Sequence, residues 1–115
     1  MQQIIKELNE NVGILGSMVI TDDGMVVAQS LGPDLKGEVV AAIASNVIRG
    51  TKRALGQLGA EDIDKYQMNS KHGRMMFVNL GNAFLVVVTN QNIDISNTLL
   101  EIESAVYKIT HRRAN

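Results

Sequence analysis

An uninterrupted apolar run, Phe84-Leu85-Val86-Val87-Val88, constrains the fold more than any other feature of the chain. A strand with one wet face alternates apolar and polar residues, whereas this run offers no polar position on either face. Both faces therefore require apolar cover. The run predicts a strand in the middle of a sheet that has helices packed on both faces, which is a layered α+β architecture.

Turn residues and apolar periodicity divide the remaining sequence into helices and strands. The predicted helices cover residues 2–10, 34–58 and a C-terminal segment whose apolar stripe is Ile95, Leu99, Ile102, Val106 and Ile109. The predicted strands cover residues 14–21, 25–29, 63–70, 74–80 and 83–89. A chain of 115 residues has room for one core, so we expect a single domain over residues 1–115 with the order α-β-β-α-β-β-β-α.

Local signals mark the turns and the helix ends. Asp22-Asp23-Gly24 lies between the first two strands, where a glycine supplies the positive φ of a tight hairpin turn. Asp34 is placed to accept amide hydrogen bonds as the N-cap of the long helix, and Gly59 supplies its C-terminal stop. Asp94 or Ser96 can cap the last helix.

The strand that follows the long helix alternates strongly. Tyr66 and Met68 fall on one face, and Lys65, Gln67 and Asn69 fall on the other. This pattern predicts an edge strand with one wet side. Such an edge risks aggregation unless something pairs with it or covers it.

On a helical wheel, the long helix carries two adjacent apolar strips. We interpret the first strip as the face that packs on the sheet, and it comprises Val40, Ile43, Ala44, Val47, Thr51, Ala54 and Leu58. The second strip comprises Gly37, Ala41, Ala44, Ile48 and Leu55. Together with Val39 and Gly50 the strips span roughly 200°, whereas packing on one sheet requires an arc of about 100°.

The second strip needs cover of its own, and its small residues allow another helix to approach closely. A symmetric homodimer is the simplest explanation, because a two-fold axis lets one patch meet its own copy. The alternative is that the amino-terminal helix covers this strip within the same chain. On the first interpretation, Gly37, Ala41, Ala44, Ile48 and Leu55 form a dimer interface.

Composition excludes several classes of function. Eleven Lys and Arg against twelve Asp and Glu, with 3% aromatic residues, argue against nucleic-acid binding, which needs surplus positive charge and stacking rings. The absence of cysteine and the presence of only two histidines exclude thiol chemistry and a Cys- or His-rich metal site, so no cofactor is predicted. Without a signal-like or an 18-residue apolar stretch, a cytoplasmic location is expected.

The candidate reactive groups show no catalytic pattern. His72 is interpreted as a solvated turn residue and His111 as part of a basic helix end. The acidic cluster Glu61, Asp62 and Asp64 is interpreted as solubilising charge. Catalysis would require distant residues to converge on His72 or on this cluster. The chain therefore favours a protein that works by binding other proteins.

Three segments carry a family resemblance: the residues 13–20, with the sequence Gly-Ile-Leu-Gly-Ser-Met-Val-Ile, the turn Asp23-Gly24, and the strand that follows Gly81-Asn82. Together with the long small-residue helix, they resemble the Roadblock family. The resemblance implies a five-stranded antiparallel sheet with the long helix on one face and the terminal helices on the other. It also implies homodimers in which long helices pair and third strands meet edge to edge through Lys65, Gln67 and Asn69, giving a ten-stranded sheet.

Family members are similar in being non-enzymatic platforms. They include dynein light chains, scaffolds that hold Rag-type GTPases, and bacterial polarity proteins similar to mutual gliding protein B, which activates a Ras-like GTPase. The compact chain resembles a stand-alone prokaryotic member. The resemblance therefore implies a homodimer that binds a small Ras-like GTPase, without membrane insertion, and the exposed candidates for that contact are Ser45, Arg49, Lys52 and Arg53.

An alternative from another class is a small-molecule-sensing module of the longin, profilin or PAS type. Such a module holds its ligand between sheet and helix. It requires a cavity of several hundred Å³ in which polar groups converge on the ligand. The apolar interior predicted from the sequence speaks against it.

Overall fold

The computed structural model describes residues 1–60, 63–91 and 93–111. Its elements follow the predicted order and are α1 (Gln2–Leu8), β1 (Ile14–Ile20), β2 (Val26–Leu31), α2 (Gly37–Gly56), β3 (Lys65–Ser70), β4 (Gly73–Asn79), β5 (Phe84–Thr89) and α3 (Ile95–His111). The fold is α+β.

One antiparallel five-stranded sheet runs in the order β2-β1-β5-β4-β3. The predicted central strand is β5, which lies third of five and pairs with β1 and β4. The predicted edge strand is β3, at one end of the sheet. Both expectations are confirmed.

Each face of the sheet has its own core. On one face α2 packs on Phe84 and Val86 of β5, and on the other α1 and α3 pack on Leu85 and Val87. The apolar run therefore receives cover on both faces, as the absence of alternation predicts. The long helix lies on one face and the terminal helices lie on the other, as the family resemblance implies.

Local chemistry explains the turns and the ends of the helices. Gly24 has φ +97°, and the N–H of Thr21 donates to the Met25 carbonyl at 2.9 Å, which closes the hairpin as predicted. Asp94 caps α3, because its Oδ1 accepts the N–H of Asn97 at 3.3 Å. Gly59 has φ +69°, the left-handed conformation of a helix stop.

The N-cap prediction for α2 is wrong. The helix begins at Gly37, three residues later than the expected boundary, and Lys36 occupies the cap position in an extended conformation. Its last residue is Gly56 rather than Leu58. Residues 34–36 follow Pro33 and connect the end of β2 to the start of α2, so they are not helical.

The prediction of which α2 residues face the sheet is confirmed for Val40 and Ala44, which are buried in the core, but it is wrong for most of the helix. Ala41, Ala44 and Ile48, assigned to a dimer interface, are buried against the protein's own sheet, and Ala44 and Ile48 have 0% exposure. Met18, Phe77 and other large side chains rise from the sheet beneath them. Ala41 and Ala44 leave room for these bulky sheet residues, and Val40 and Ile48 fill the remaining space of the same core.

The strip assigned to the core is instead largely turned outward. Ile43 is 47% exposed, Ala54 and Leu58 are exposed, and Val47 is half-buried. The alternative that α1 covers the surplus apolar surface is also wrong, because α1 lies on the opposite face of the sheet. The prediction of surplus apolar surface on this helix therefore stands, with different residues.

Gly37 and Leu55, at the two ends of the inward strip, are half-buried. A Cβ on Gly37 would lie 2.6 Å from Oε1 of Gln29, so the glycine makes room for a side chain of β2 in the same chain. The close approach predicted at Gly37 therefore involves β2 of the same chain, and a contact with a second copy at either residue stays a prediction.

Candidate protein-docking surface

The outward strip of α2 is the largest unexplained apolar feature of the helix. We call it the outer strip, and it consists of Val39, Ile43, Val47, Gly50 and Ala54. Their spacing of three and four residues places them on one face of the helix. β-branched side chains occupy the N-terminal half, and small residues occupy the C-terminal half. The strip is therefore shaped to receive another helix at close range.

A shallow groove accompanies the outer strip. Its volume is about 300 Å³, and it lies between α2 and the sheet, with Leu35, Val39, Ile43, Met75 and Val88 in its wall. The groove exists because α2 lies closest to β1 and β2 and leaves the β4 and β3 side of the same face partly uncovered.

Beyond the groove, β3 adds an apolar shelf. Tyr66 stacks on Phe77 with ring centroids 4.9 Å apart, and Met68 beside it is 45% exposed. Burial raises the pKa of the Tyr66 hydroxyl above its ordinary value. That hydroxyl is buried and makes no hydrogen bond of regular geometry within the described residues, although an interaction with the Thr51 side chain partly opposes the rise in pKa. The outer strip, the groove and this shelf all lie on the α2 side of the sheet.

The β3 edge runs alongside this shelf. The N–H of Asn79 donates to the Asp64 carbonyl at 2.7 Å, so Asp64 turns its backbone toward β4. Because alternate residues in an antiparallel pair face opposite ways, Lys65, Gln67 and Asn69 turn theirs outward. The side chains of all three are exposed. Within the described part of the chain, no strand pairs with this edge.

The residues predicted to contact a GTPase are only partly brought together. Arg49 and Arg53 are exposed on α2, and Arg49 Nη2 donates to Asn46 Oδ1 at 2.9 Å. We call the exposed polar face formed by Asn46, Arg49 and Arg53 the polar crest. Ser45, predicted to be wet, is 6% exposed, and its hydroxyl donates to the Ala42 carbonyl at 3.2 Å. The prediction for Ser45 is wrong, because the inward rotation of the small-residue strip carries it toward the sheet.

Lys52 forms an ion pair within its own chain. Its Nζ lies 2.9 Å from Asp22 Oδ2 and 5.5 Å from the centroid of the Phe84 ring. The pair ties the end of α2 to the β1–β2 turn. This hydrogen bond, and then the positive charge of Lys52, lower the pKa of Asp22.

We expect Lys52→Ala to raise the pKa of Asp22 back toward the ordinary aspartate value of about 3.9. A lowered pKa in the folded state stabilises the protein above the unfolded value, and this stabilisation is lost as the pH falls through the folded value. Carbon-detected NMR titration of the Asp22 carboxyl measures the shift. Lys71→Ala, in the β3–β4 turn, is the control and should leave the Asp22 titration unchanged.

A larger cleft of about 590 Å³ opens on the other face of the sheet, between α3 and the pair β3 and β4. Met76, Val78, Leu99 and Val106 are among its mainly apolar lining residues. Its charged groups lie at the rim, where Lys65 Nζ and Glu103 Oε1 are 3.5 Å apart and both side chains are 60% exposed. The cavity has the size expected of a ligand site, but Lys65 and Glu103 pair with each other at its rim.

The other candidate reactive groups, the histidines and the acidic cluster, do not form a common site among the described residues. His72 and Asp64 are exposed, and His111 stacks on Tyr107 with centroids 4.0 Å apart. Glu61 and Asp62, the remaining members of the acidic cluster, lie outside the described residues. Over residues 1–60, 63–91 and 93–111, no three potential metal ligands come together. In the same ranges, no helix combines the length and the apolarity that crossing a membrane demands.

The outer strip was not predicted as an exposed surface, although the sequence contains a usable signal for it. Large β-branched residues stand at 39, 43 and 47, whereas 41, 44 and 45 are small. The apolar strand residues opposite are large, among them Phe77 and Phe84. Complementary volumes across a packed layer would have assigned the small residues to the sheet side.

Comparison with known proteins agrees with this architecture. The family model of the Roadblock/LC7 domain matches residues 1–89. The uncharacterized protein MJ1340 of Methanocaldococcus jannaschii is 30% identical over 107 residues, covering 93% of this chain and 94% of the relative.

Two solved structures share the fold. Myxococcus xanthus MglB matches with a TM-score of 0.85 at 12% identity, over 95% of this chain and 84% of that chain. A Roadblock/LC7 domain from Streptomyces avermitilis matches with a TM-score of 0.81 at 18% identity, over 95% of this chain and 93% of that chain. From the family model and the extent of these matches, the chain belongs to the Roadblock/LC7 family.

Proposed function

We propose that the protein is a non-enzymatic homodimeric platform that binds a small Ras-like GTPase and biases its nucleotide switch. The observation that carries the proposal is the set of exposed apolar residues on the α2 side, among them Val39, Ile43 and Met68, together with the unpaired β3 edge of the described chain. A second copy placed by a two-fold axis covers both features at once. Membership of the Roadblock/LC7 family, for which the resemblance implies paired long helices and paired third strands, supports the same arrangement.

The register of the proposed dimer follows from the edge residues. An antiparallel β3 pair centred on Gln67 places Lys65 opposite the partner's Asn69, so the two lysines do not face each other. On the α2 side, the same register places Tyr66 opposite the partner's Met68. The outer strips of the two α2 helices then approach each other above a ten-stranded sheet.

The GTPase surface in this proposal is the polar crest of α2. Arg49 and Arg53 are exposed there, away from the outer strip, so a two-fold dimer presents both pairs on one side. A platform needs no inserted catalytic group. About 1.4 kcal/mol of preference for one switch conformation changes the population ratio tenfold.

The test uses a small Ras-like GTPase encoded beside this protein, loaded with GDP or with a non-hydrolysable GTP analogue. Calorimetry should detect binding that differs between the two nucleotide states, and turnover should change when the protein is added. Arg49→Glu with Arg53→Glu should weaken binding by about tenfold or more, because charge is reversed at the contact. Lys71→Glu, in the β3–β4 turn, is the matched control. Absence of binding in both states would refute the GTPase proposal.

The α3-side cleft supports a second candidate function, the binding of a small amphipathic molecule, because its volume of about 590 Å³ lies within the usual range for ligand pockets. A fragment screen read by methyl NMR tests this candidate. Saturable shifts confined to Met76, Leu99 and Val106 would favour it. Shifts scattered over the surface, or none, would leave the platform as the better function.

A further inference from the structure

The sheet has a second edge, at β2, and this edge differs from the β3 edge in its contacts. Gln29 lies opposite Met18 in the pairing of β2 with β1. A bulge between Val19 and Ile20 shortens the regular ladder, and Val26 and Val27 are exposed near the hairpin turn. Apolar residues on a sheet edge invite the addition of another strand.

The side chain of Gln2 occupies the pairing position on this edge. Its Nε2 donates to the Gln29 carbonyl at 2.6 Å, and the Gln29 N–H donates to its Oε1 at 3.4 Å. A side-chain amide thus satisfies both backbone groups of one residue, as a peptide of a neighbouring strand would. Gln29 is also held from the other side, where its own side chain lies against Gly37.

Helix α1 is anchored well enough to hold Gln2 in place. Ile5 and Leu8 are buried in the core beneath α3, and the Ser17 hydroxyl donates to the Ile5 carbonyl at 3.3 Å. Gln3, the next residue, points elsewhere and donates to Glu7 within the helix at 3.1 Å. The contact at Gln29 is therefore specific to Gln2.

We infer that Gln2 is an edge clamp that closes β2 to strand addition by a second copy of this chain. With β2 closed and β3 open, the sheet can extend in one direction only. Two copies joined at β3 then form a closed assembly. If both edges were open, two-fold contacts at β3 and at β2 would alternate and build an open chain of sheets. The limit of two copies rests on the proposed homodimer, whereas the closure of β2 does not.

The test compares Gln2→Ala and Gln2→Met with the wild-type protein and with the control Gln3→Ala. Gln2→Met keeps the length and the helix propensity of glutamine and lacks both hydrogen-bonding groups. We expect both Gln2 variants to speed hydrogen exchange at the Gln29 amide. We also expect light scattering to show an average mass above two copies that keeps rising with protein concentration, as β2 edges pair into open chains. The control should match the wild type in both measurements.

Unchanged exchange at Gln29 in the two Gln2 variants would overturn the clamp, and so would an unchanged mass up to the highest soluble concentration. A wild-type protein that is monomeric would refute the homodimer instead. In that case Gln2→Ala alone still decides the inference, since new dimers support the clamp and monomers refute it. A second way to separate the two hypotheses is to add Gln2→Ala to a variant in which Ile43→Asp disrupts the outer strip. New assembly of this double variant supports the clamp, and its absence refutes the clamp.

Discussion

Replacing Ile43 with aspartate is expected to convert the proposed homodimer into folded monomers. Ile43 is 47% exposed in the single chain, so the new carboxylate remains hydrated while the protein is monomeric. In the dimer the same position faces the partner's outer strip, where an unpaired charge loses its water. The penalty is about 3 kcal/mol or more, which weakens dimerisation by over about a hundredfold.

Light scattering measures the mass, and circular dichroism confirms the fold. Leu100→Asp is the matched control, because Leu100 is an exposed apolar residue on α3, on the opposite face of the sheet. This control should keep the wild-type mass. If Ile43→Asp also kept the wild-type mass, the outer strip would not be the interface.

Replacing Ile48 with aspartate is expected to unfold the protein. Ile48 has 0% exposure and lies in the core that α2 forms with Met18 and Phe77. The carboxylate would be buried among apolar side chains, with no cation among the described residues of that core, at a cost of about 4 kcal/mol or more. Domains of this size have total stabilities of about 5–15 kcal/mol, so most or all of the stability disappears.

Urea denaturation of Ile48→Asp and of the conservative variant Ile48→Val makes the measurement quantitative. The valine variant loses one methylene and should cost about 1 kcal/mol. The contrary result would be an aspartate variant that is as stable as the wild type but no longer dimeric. That outcome would return Ile48 to the interface and place the small-residue strip outside the core.

Much of the fold could be predicted because its signals are local or nearly so. The absence of alternation from Phe84 to Val88 required a central strand, and Gly24 required a tight turn between β1 and β2. The stripe from Ile95 to Ile109 required an amphipathic helix. Each of these signals depends on neighbours within a few positions, so none of them needed knowledge of the distant chain.

The candidate site was harder to predict because it depends on how one helix is rotated. Both strips of α2 are apolar, and helical periodicity defines an arc without saying which part of it faces the sheet. That choice depends on Met18 and Phe77, which come from strands far away in the sequence. For the same reason Ser45 was assigned to the wet face, and the pairing of Lys52 with Asp22 was missed.

The sequence by itself determined the elements, their order, the central strand and the surplus of apolar surface on the long helix. The tertiary structure decided which residues carry that surplus, which edge of the sheet stays open, and which glutamine closes the other edge. The physical reason is packing at fixed volume. Which face of the helix fits the sheet depends on the combined volumes of side chains from both layers, and the sheet side chains come together only when the strands are assembled.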